Sequence, residues 1–161
     1  MAYPYRSILS PIELDDPSLV ALGVAQRIAA DHEAMLHLLH VVRRLPAFGE
    51  PDVVEDEHSV AEERARARLK EIADSHLKAV KYQIHTAAAA MRAMAKAIVR
   101  VAGEVNADLI VLKTSGRKGL SNFSLGNVTE EVVRTAPCPV LTLAPAAQEK
   151  AAQLGERETA A

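Results

Sequence analysis

Five short apolar runs alternate with four helix-period segments along this chain of 161 residues, an order that few folds accept. The runs are Tyr5 to Ile12, Met35 to Val42, Val80 to His85, Asp108 to Leu112 and Val140 to Leu143. The second, MLHLLHVV, is almost continuously apolar. Runs of this kind fit strands covered on both faces, as in a parallel sheet. Between them, apolar residues recur at three- and four-residue spacing. Leu19, Leu22, Ala25, Ile28 and Ala29 follow Asp15, Asp16 and Pro17, which are helix-start signals. A second helix is expected from about Ser59, with Val60, Ala61, Ala65, Leu69, Ile72 and Ala73 inward, and Glu62 and Arg66 paired on its polar side. The third stripe is Met91, Met94, Ala95, Ile98, Val99, Ala102 and Val105. The fourth, with Val128, Val132 and Val133, stops before Pro137 and Pro139. The order βαβαβαβαβ predicts an α/β fold, a doubly wound five-stranded parallel sheet with helices on both faces. Such sheets take ligands beyond the carboxyl ends of their strands, where the strand order reverses. The residues just after runs one, two and four are therefore the ones to read for chemistry.

The length suits a single domain, expected over residues 1–145, with a polar, Ala-rich tail over 146–161. Hydrophobic residues are 49% and charged residues 25%, which excludes disorder over the whole chain. The net charge of −2 argues against duplex nucleic acid as a partner. Aromatic residues at 3%, with no Trp, argue against stacking on bases. No apolar run nears the roughly 20 residues of a membrane-spanning helix, and the opening MAYPYRSILSPIELDD lacks the apolar length of a signal peptide. The lone Cys138 cannot form an internal disulfide and suits a reducing compartment. A cytoplasmic protein is expected. Arg43 to Glu57, with Pro46, Gly49, Pro51 and five acids, reads as a long loop.

The stretch ADLIVLKTSGRKGLSNFSLGNVTEEVVRTAPCPVLTLAP carries the most chemistry. A strand enters a Gly-containing loop, and a helix opens at Gly126-Asn127. Asn127 is a good N-cap, and Glu130 follows three residues later as in a capping box. A helix N-terminus presents unsatisfied N–H groups and partial positive charge. Gly116, Gly119 and Gly126 let backbone approach a ligand closely, and Arg117 and Lys118 add charge. Two readings stay open on these residues alone: an anion site, or ordinary loop-and-cap structure.

The same stretch resembles the C-terminal half of the universal stress protein (UspA-like) family. RSILSPIELDDPS and LHLLHVV are similar to that family's opening and second strand, so the resemblance spans Tyr5 to about Pro145. It implies a Rossmann-like α/β domain and a homodimer formed through the last strand, Val140 to Leu143. The family's ATP-binding branch carries G-x-x-G, nine residues, then Gly followed by Ser or Thr. Gly116, nine residues and Gly126 match here, but Lys113 replaces the first Gly and Asn127 the closing Ser or Thr. Glu13 replaces the Asp after strand one, Pro11 fits the opening motif, and Val41, at the end of strand two, falls where the family's backbone meets adenine. The resemblance therefore implies Pro11, Glu13 and Val41 around base and sugar, with Lys113, Gly116, Gly126 and Asn127 at the phosphates of ATP with Mg. Lys113 stands where the family leaves space: it would block the ribose end or supply an ammonium to phosphate. Two functions stay open: a nucleotide-binding regulator, and a dimeric module, with an unnamed protein partner, that has lost the nucleotide. An ATP-hydrolysing enzyme is the weaker reading, because only Glu13 could serve as a base.

The remaining polar residues read as structure. His37 and His40 lie three apart in a strand and point to opposite faces, so they form no metal clip; His32, His58, His76 and His85 lack ligand spacing. Cys138, between Pro137 and Pro139, reads as a small packing residue rather than a nucleophile. Ser10, Ser115, Ser121 and Ser124 stand in no nucleophile motif. Arg64, Arg66, Arg68 and Lys70, diluted by Glu62, Glu63 and Glu71, read as a solvated helix face. Met91 and Met94 read as a core stripe.

Overall fold

Each apolar run becomes a strand, and the central strands are roofed on both sides. The computed structural model describes residues 4–14, 16–44, 51–114 and 127–144. The elements in chain order are β1 (Ser7–Pro11), α1 (Asp16–His32), β2 (Met35–Arg44), α2 (Pro51–His76) and β3 (Tyr82–Ala90). A 3-10 turn at Met91–Ala93 leads to α3 (Met94–Glu104), β4 (Leu109–Lys113), α4 (Asn127–Thr135) and β5 (Val140–Leu143). All strand pairs are parallel, in the order β3-β2-β1-β4-β5. This is the doubly wound five-stranded α/β sheet that the order of runs predicts.

Alternation along the strands divides the core into two layers. Ile8, Ile12, Leu36, Leu38, Leu109 and Val111 pack with Leu22, Ala25 and Ala29 of α1 and Leu69 and Ala73 of α2. Leu9, Leu39, Val41, Ile110 and Leu112 face the other way, onto Ile98, Val101 and Ala102 of α3 and Val132 of α4. Leu9, Leu36, Leu38 and Leu39 are wholly shielded from solvent. Burial of each such side chain contributes about 1.5–3 kcal/mol.

Polar groups fix the strand ends. The Asp108 carboxylate accepts the Arg6 N–H at 2.7 Å and the Ser7 N–H at 3.2 Å, while the Ser7 hydroxyl donates to the Val105 carbonyl at 2.9 Å. These bonds tie the start of β4 to the start of β1, and those to the carboxylate are the stronger kind because the acceptor is charged. Two helices end in left-handed residues, Glu33 (φ 54°) after α1 and Asn106 (φ 49°) after α3. In both, the next N–H returns to a carbonyl five residues back, Ala34 to Ala29 at 2.9 Å and Ala107 to Ala102 at 2.8 Å, which satisfies open helix-end acceptors.

Several boundaries differ from expectation. Helix α2 begins at Pro51 rather than near Ser59, so the expected loop from Arg43 to Glu57 is strand up to Arg44 and helix from Pro51. Pro at a first helical position, followed by acids, favours a start there. Strand β3 runs to Ala90 rather than stopping at His85, because β2 offers it a parallel partner as far as Arg44. Val41 is not at the end of β2, which continues to Arg44. Val60, Met91 and Val133, expected inward, are exposed; Met91 lies in the 3-10 turn that precedes α3. The basic face of α2 is solvated as expected: Arg68 pairs with Glu71 at 2.8 Å, and Lys70 pairs with Asp74. The expected tail over 146–161 lies outside the described residues.

Candidate functional site

Strand order reverses between β1 and β4. These strands lie side by side, with Ile8 opposite Leu109 and Leu9 opposite Ile110, yet the chain leaves β1 toward β2 and β4 toward β5. In such sheets the crevice for a ligand lies beyond the carboxyl ends of the two strands where the order reverses. Its β1 wall is Pro11, Ile12 and Glu13. The Ile12 N–H donates to the Leu39 carbonyl at 2.7 Å, and the Ile12 carbonyl accepts from His40 Nδ1 at 2.7 Å. A carbonyl only accepts, so Nδ1 of His40 carries the hydrogen. His40 was not singled out for this role in the sequence. It is visible only once β1 and β2 are paired, and it braces the turn that carries Glu13. The β4 wall is Lys113 and Thr114. The Thr114 N–H and hydroxyl both donate to the Leu143 carbonyl, at 2.9 and 3.1 Å.

The crevice is crossed by an ion pair. Lys113 Nζ lies 2.9 Å from Glu13 Oε2, with the lysine side chain 12% exposed and the glutamate 60%. Lys113 follows Leu109 and Val111 in alternation, so it leaves β4 on the face covered by α1, the side on which the β1 turn lies. Its four-carbon stem is buried, and its ammonium reaches the carboxylate at the rim. The two departures from the nucleotide-binding pattern are thus partners of each other. The extra methylene of Glu13, relative to Asp, lengthens its reach toward Lys113.

The other expected site residues separate. Pro11 ends β1, opposite Leu39. Val41 sits inside the β2–β3 ladder opposite Ala87, and its buried side chain belongs to the α3–α4 layer, so only its backbone remains for a ligand. Asn127 is the exposed first residue of α4, near Lys113 through Thr129, whose hydroxyl is 3.5 Å from the Lys113 carbonyl, the outer limit for a hydrogen bond. The Glu130 carboxylate accepts from Arg134 at 2.7 Å, one turn on. Gly116 and Gly126 lie outside the described residues, as do Ser115, Arg117, Lys118, Gly119, Ser121 and Ser124.

Little else offers chemistry. Among the described residues no group of three or more His, Cys, Asp or Glu side chains is placed to hold a metal ion. The Cys138 thiol is pushed up by burial and by the nearby Asp108 charge, the opposite of what a nucleophile needs. No described helix is long and apolar enough to cross a membrane. A cavity of about 400 Å³ between Leu14 and Leu19 and the face of α2 at Arg68, Ile72 and His76 is lined by neither Lys113 nor Glu13.

Comparison with known proteins follows the same outline. The model of the family described as "Universal stress protein family" matches residues 4–144. The chain is 34% identical over 144 residues to universal stress protein MJ0531 of Methanocaldococcus jannaschii, covering 86% of this chain and 82% of that one. Among solved structures, universal stress protein UspA from Lactobacillus plantarum matches with a TM-score of 0.64 at 26% identity, covering 88% of this chain and 99% of that one. A universal stress protein solved in complex with cAMP matches with a TM-score of 0.60 at 24% identity, covering 88% of this chain and 98% of that one.

Proposed function

Because the chain belongs to the universal stress protein family, we propose that it works as a regulatory interaction module whose nucleotide crevice is filled by its own Lys113. The observation that carries this reading is the Lys113–Glu13 pair, with the lysine stem buried between the β1 and β4 ends. ATP with Mg²⁺ does not fit this arrangement. The side chain stands where the family's ATP-binding branch has a glycine, and its ammonium engages the carboxylate that replaces the family's Asp.

Magnitudes separate charge from bulk. Glu13 is 60% exposed, and an exposed ion pair is worth about 1 kcal/mol or less. Its loss would change affinity by only about fivefold. The stem itself is the larger obstacle, since a ligand at that point must displace buried methylenes. Truncation to Gly therefore opens the crevice, whereas Met, which keeps the bulk without the charge, leaves it filled.

The module acts through a second copy of the chain. Strand β5 is a sheet edge with Leu141 38% exposed, and such an edge is a template for strand pairing. A reducing compartment, the cytoplasm, is the setting we infer from the lone Cys138. One observation favours a second reading, adenine-nucleotide binding: the similar protein solved with cAMP shares this fold. There, Lys113 would turn from Glu13 to a phosphate.

Calorimetric titration with Mg-ATP and with cAMP, after removal of any co-purified nucleotide, decides between them. The natural protein and Lys113→Met should give no binding heat up to about 1 mM ligand, and Lys113→Gly should bind. Micromolar binding by the natural protein would overturn the filled-crevice reading in favour of the second.

A further inference from the structure

Strand β3 is the other edge of the sheet, paired only to β2. Its second half is Thr86 followed by four alanines, which bury little apolar area when it docks. Where the strand is better anchored, two imidazoles meet. His37 Nδ1 on β2 lies 2.9 Å from His85 Nε2 on β3, with ring centroids 5.1 Å apart and planes tilted by 41°. His37 is only 6% exposed, and alternation puts both rings on the α3 side of the sheet, with Leu39.

A hydrogen bond between two imidazoles needs one N–H and one bare nitrogen facing each other. Two neutral rings meet that need. One added proton still leaves an N–H facing a bare nitrogen, but a second added proton sets N–H against N–H and two like charges within bonding distance, in a part-buried site. We propose that the His37–His85 pair is a proton-operated clasp that holds the edge strand β3 on β2 while the pair is neutral and lets it open when both rings are charged.

The surroundings set the direction. Burial and then the His85 charge push His37 down to about 4. His85 is pushed down chiefly by burial and then by Arg66 of α2, against a weaker opposite pull from Glu104 of α3. Arg66 reaches the same strand, with Nη2 3.5 Å from the Thr86 hydroxyl, and Glu104 is itself paired to Arg100. Both histidines bind protons less readily when folded than when unfolded. The clasp is therefore intact above the ordinary histidine value of 6.5 and is lost as pH falls toward the folded value of about 4.

Amide hydrogen exchange on the full-length protein, corrected for intrinsic rates, tests this at pH 7 and about pH 4.5. In the natural protein, peptides covering residues 82–90 should gain at least about tenfold in opening at the lower pH, beyond any change in β1 and β4. Carboxylates also titrate there, so His85→Gln, which keeps a hydrogen-bonding side chain that does not titrate, should lose most of the β3-specific gain. Equal gains in natural protein and variant, or β3 opening only in step with β1, would overturn the clasp. If His85→Gln does not fold, imidazole ¹⁵N spectra of the natural protein decide. A shared hydrogen and a mutually dependent titration support the clasp; two independent titrations near 6.5 overturn it.

Discussion

Lys113 Nζ meets Glu13 Oε2 at 2.9 Å across the two strands between which the strand order reverses. The pair joins the ends of β1 and β4 at their carboxyl side, as Asp108 with Arg6 and Ser7 joins them at the opposite side. The strand starts are held by a carboxylate bonded to backbone N–H groups, and the ends by two side chains.

Glu13→Gln should lower stability to unfolding by less than about 1 kcal/mol, because the carboxylate is 60% exposed. Lys113→Met, which keeps the buried stem and removes the charge, should be similarly mild. Urea titration of both variants and of the double variant gives the coupling directly. A coupling energy well above about 1 kcal/mol would mean that the pair is far better shielded than its exposure indicates.

The fold was legible because both strand faces are buried, so MLHLLHVV and LIVLK advertise themselves as strands of a parallel sheet. Alanines hid the second half of β3: they are poor strand formers, and only the ladder from Val41–Ala87 to Arg44–Ala90 makes them strand. Proline and acids hid the start of α2, where the same residues that mark loops also mark first helical turns. At the site, Lys113 and Glu13 were each visible as departures from a pattern. Their contact was not, since it depends on β1 and β4 being neighbours. The His37–His85 bond was hidden for the same reason: alternation assigns a face, and only the β2–β3 register brings the two rings together.

Two helix ends carry backbone strain that glycine would remove. Glu33 at φ 54° occupies a left-handed cap position, at a cost of about 1 kcal/mol for a residue with an ordinary Cβ. Glu33→Gly should raise stability by about 0.5–1 kcal/mol, with the greater unfolded-chain freedom of glycine offsetting part of the gain. Asn106→Gly, at φ 49°, should gain less, because Asn tolerates this conformation. Denaturant midpoints of the two variants measure the difference. A larger gain at Asn106 would contradict the account.

Ser10 is the one buried side-chain hydroxyl without a hydrogen-bond partner among the described residues, and it is wholly shielded within β1. An unsatisfied buried hydroxyl costs about 1–3 kcal/mol, of which replacement by a methyl recovers a part. Ser10→Ala should therefore raise stability by about 1 kcal/mol and leave the fold unchanged. A loss of stability in thermal or urea unfolding would mean that the hydroxyl has a partner, such as a buried water.

The proposed self-association rests on the edge at β5. Leu141 lies opposite Val111, on the face covered by α1, yet remains 38% exposed because it sits on the outermost strand. Val133 on α4 is 46% exposed. Neither Lys nor Pro interrupts the VLTL strand to discourage pairing. A second copy added along β5 would satisfy the outer backbone groups and cover Leu141. Leu141→Lys places a charge on that edge without touching the core, so it should shift the protein from dimer to monomer while its circular dichroism stays native. Sedimentation velocity at tens of micromolar reads the shift. If the natural protein is already a monodisperse monomer there, the β5 edge is not a self-association surface, and the module must engage a different partner or a different face.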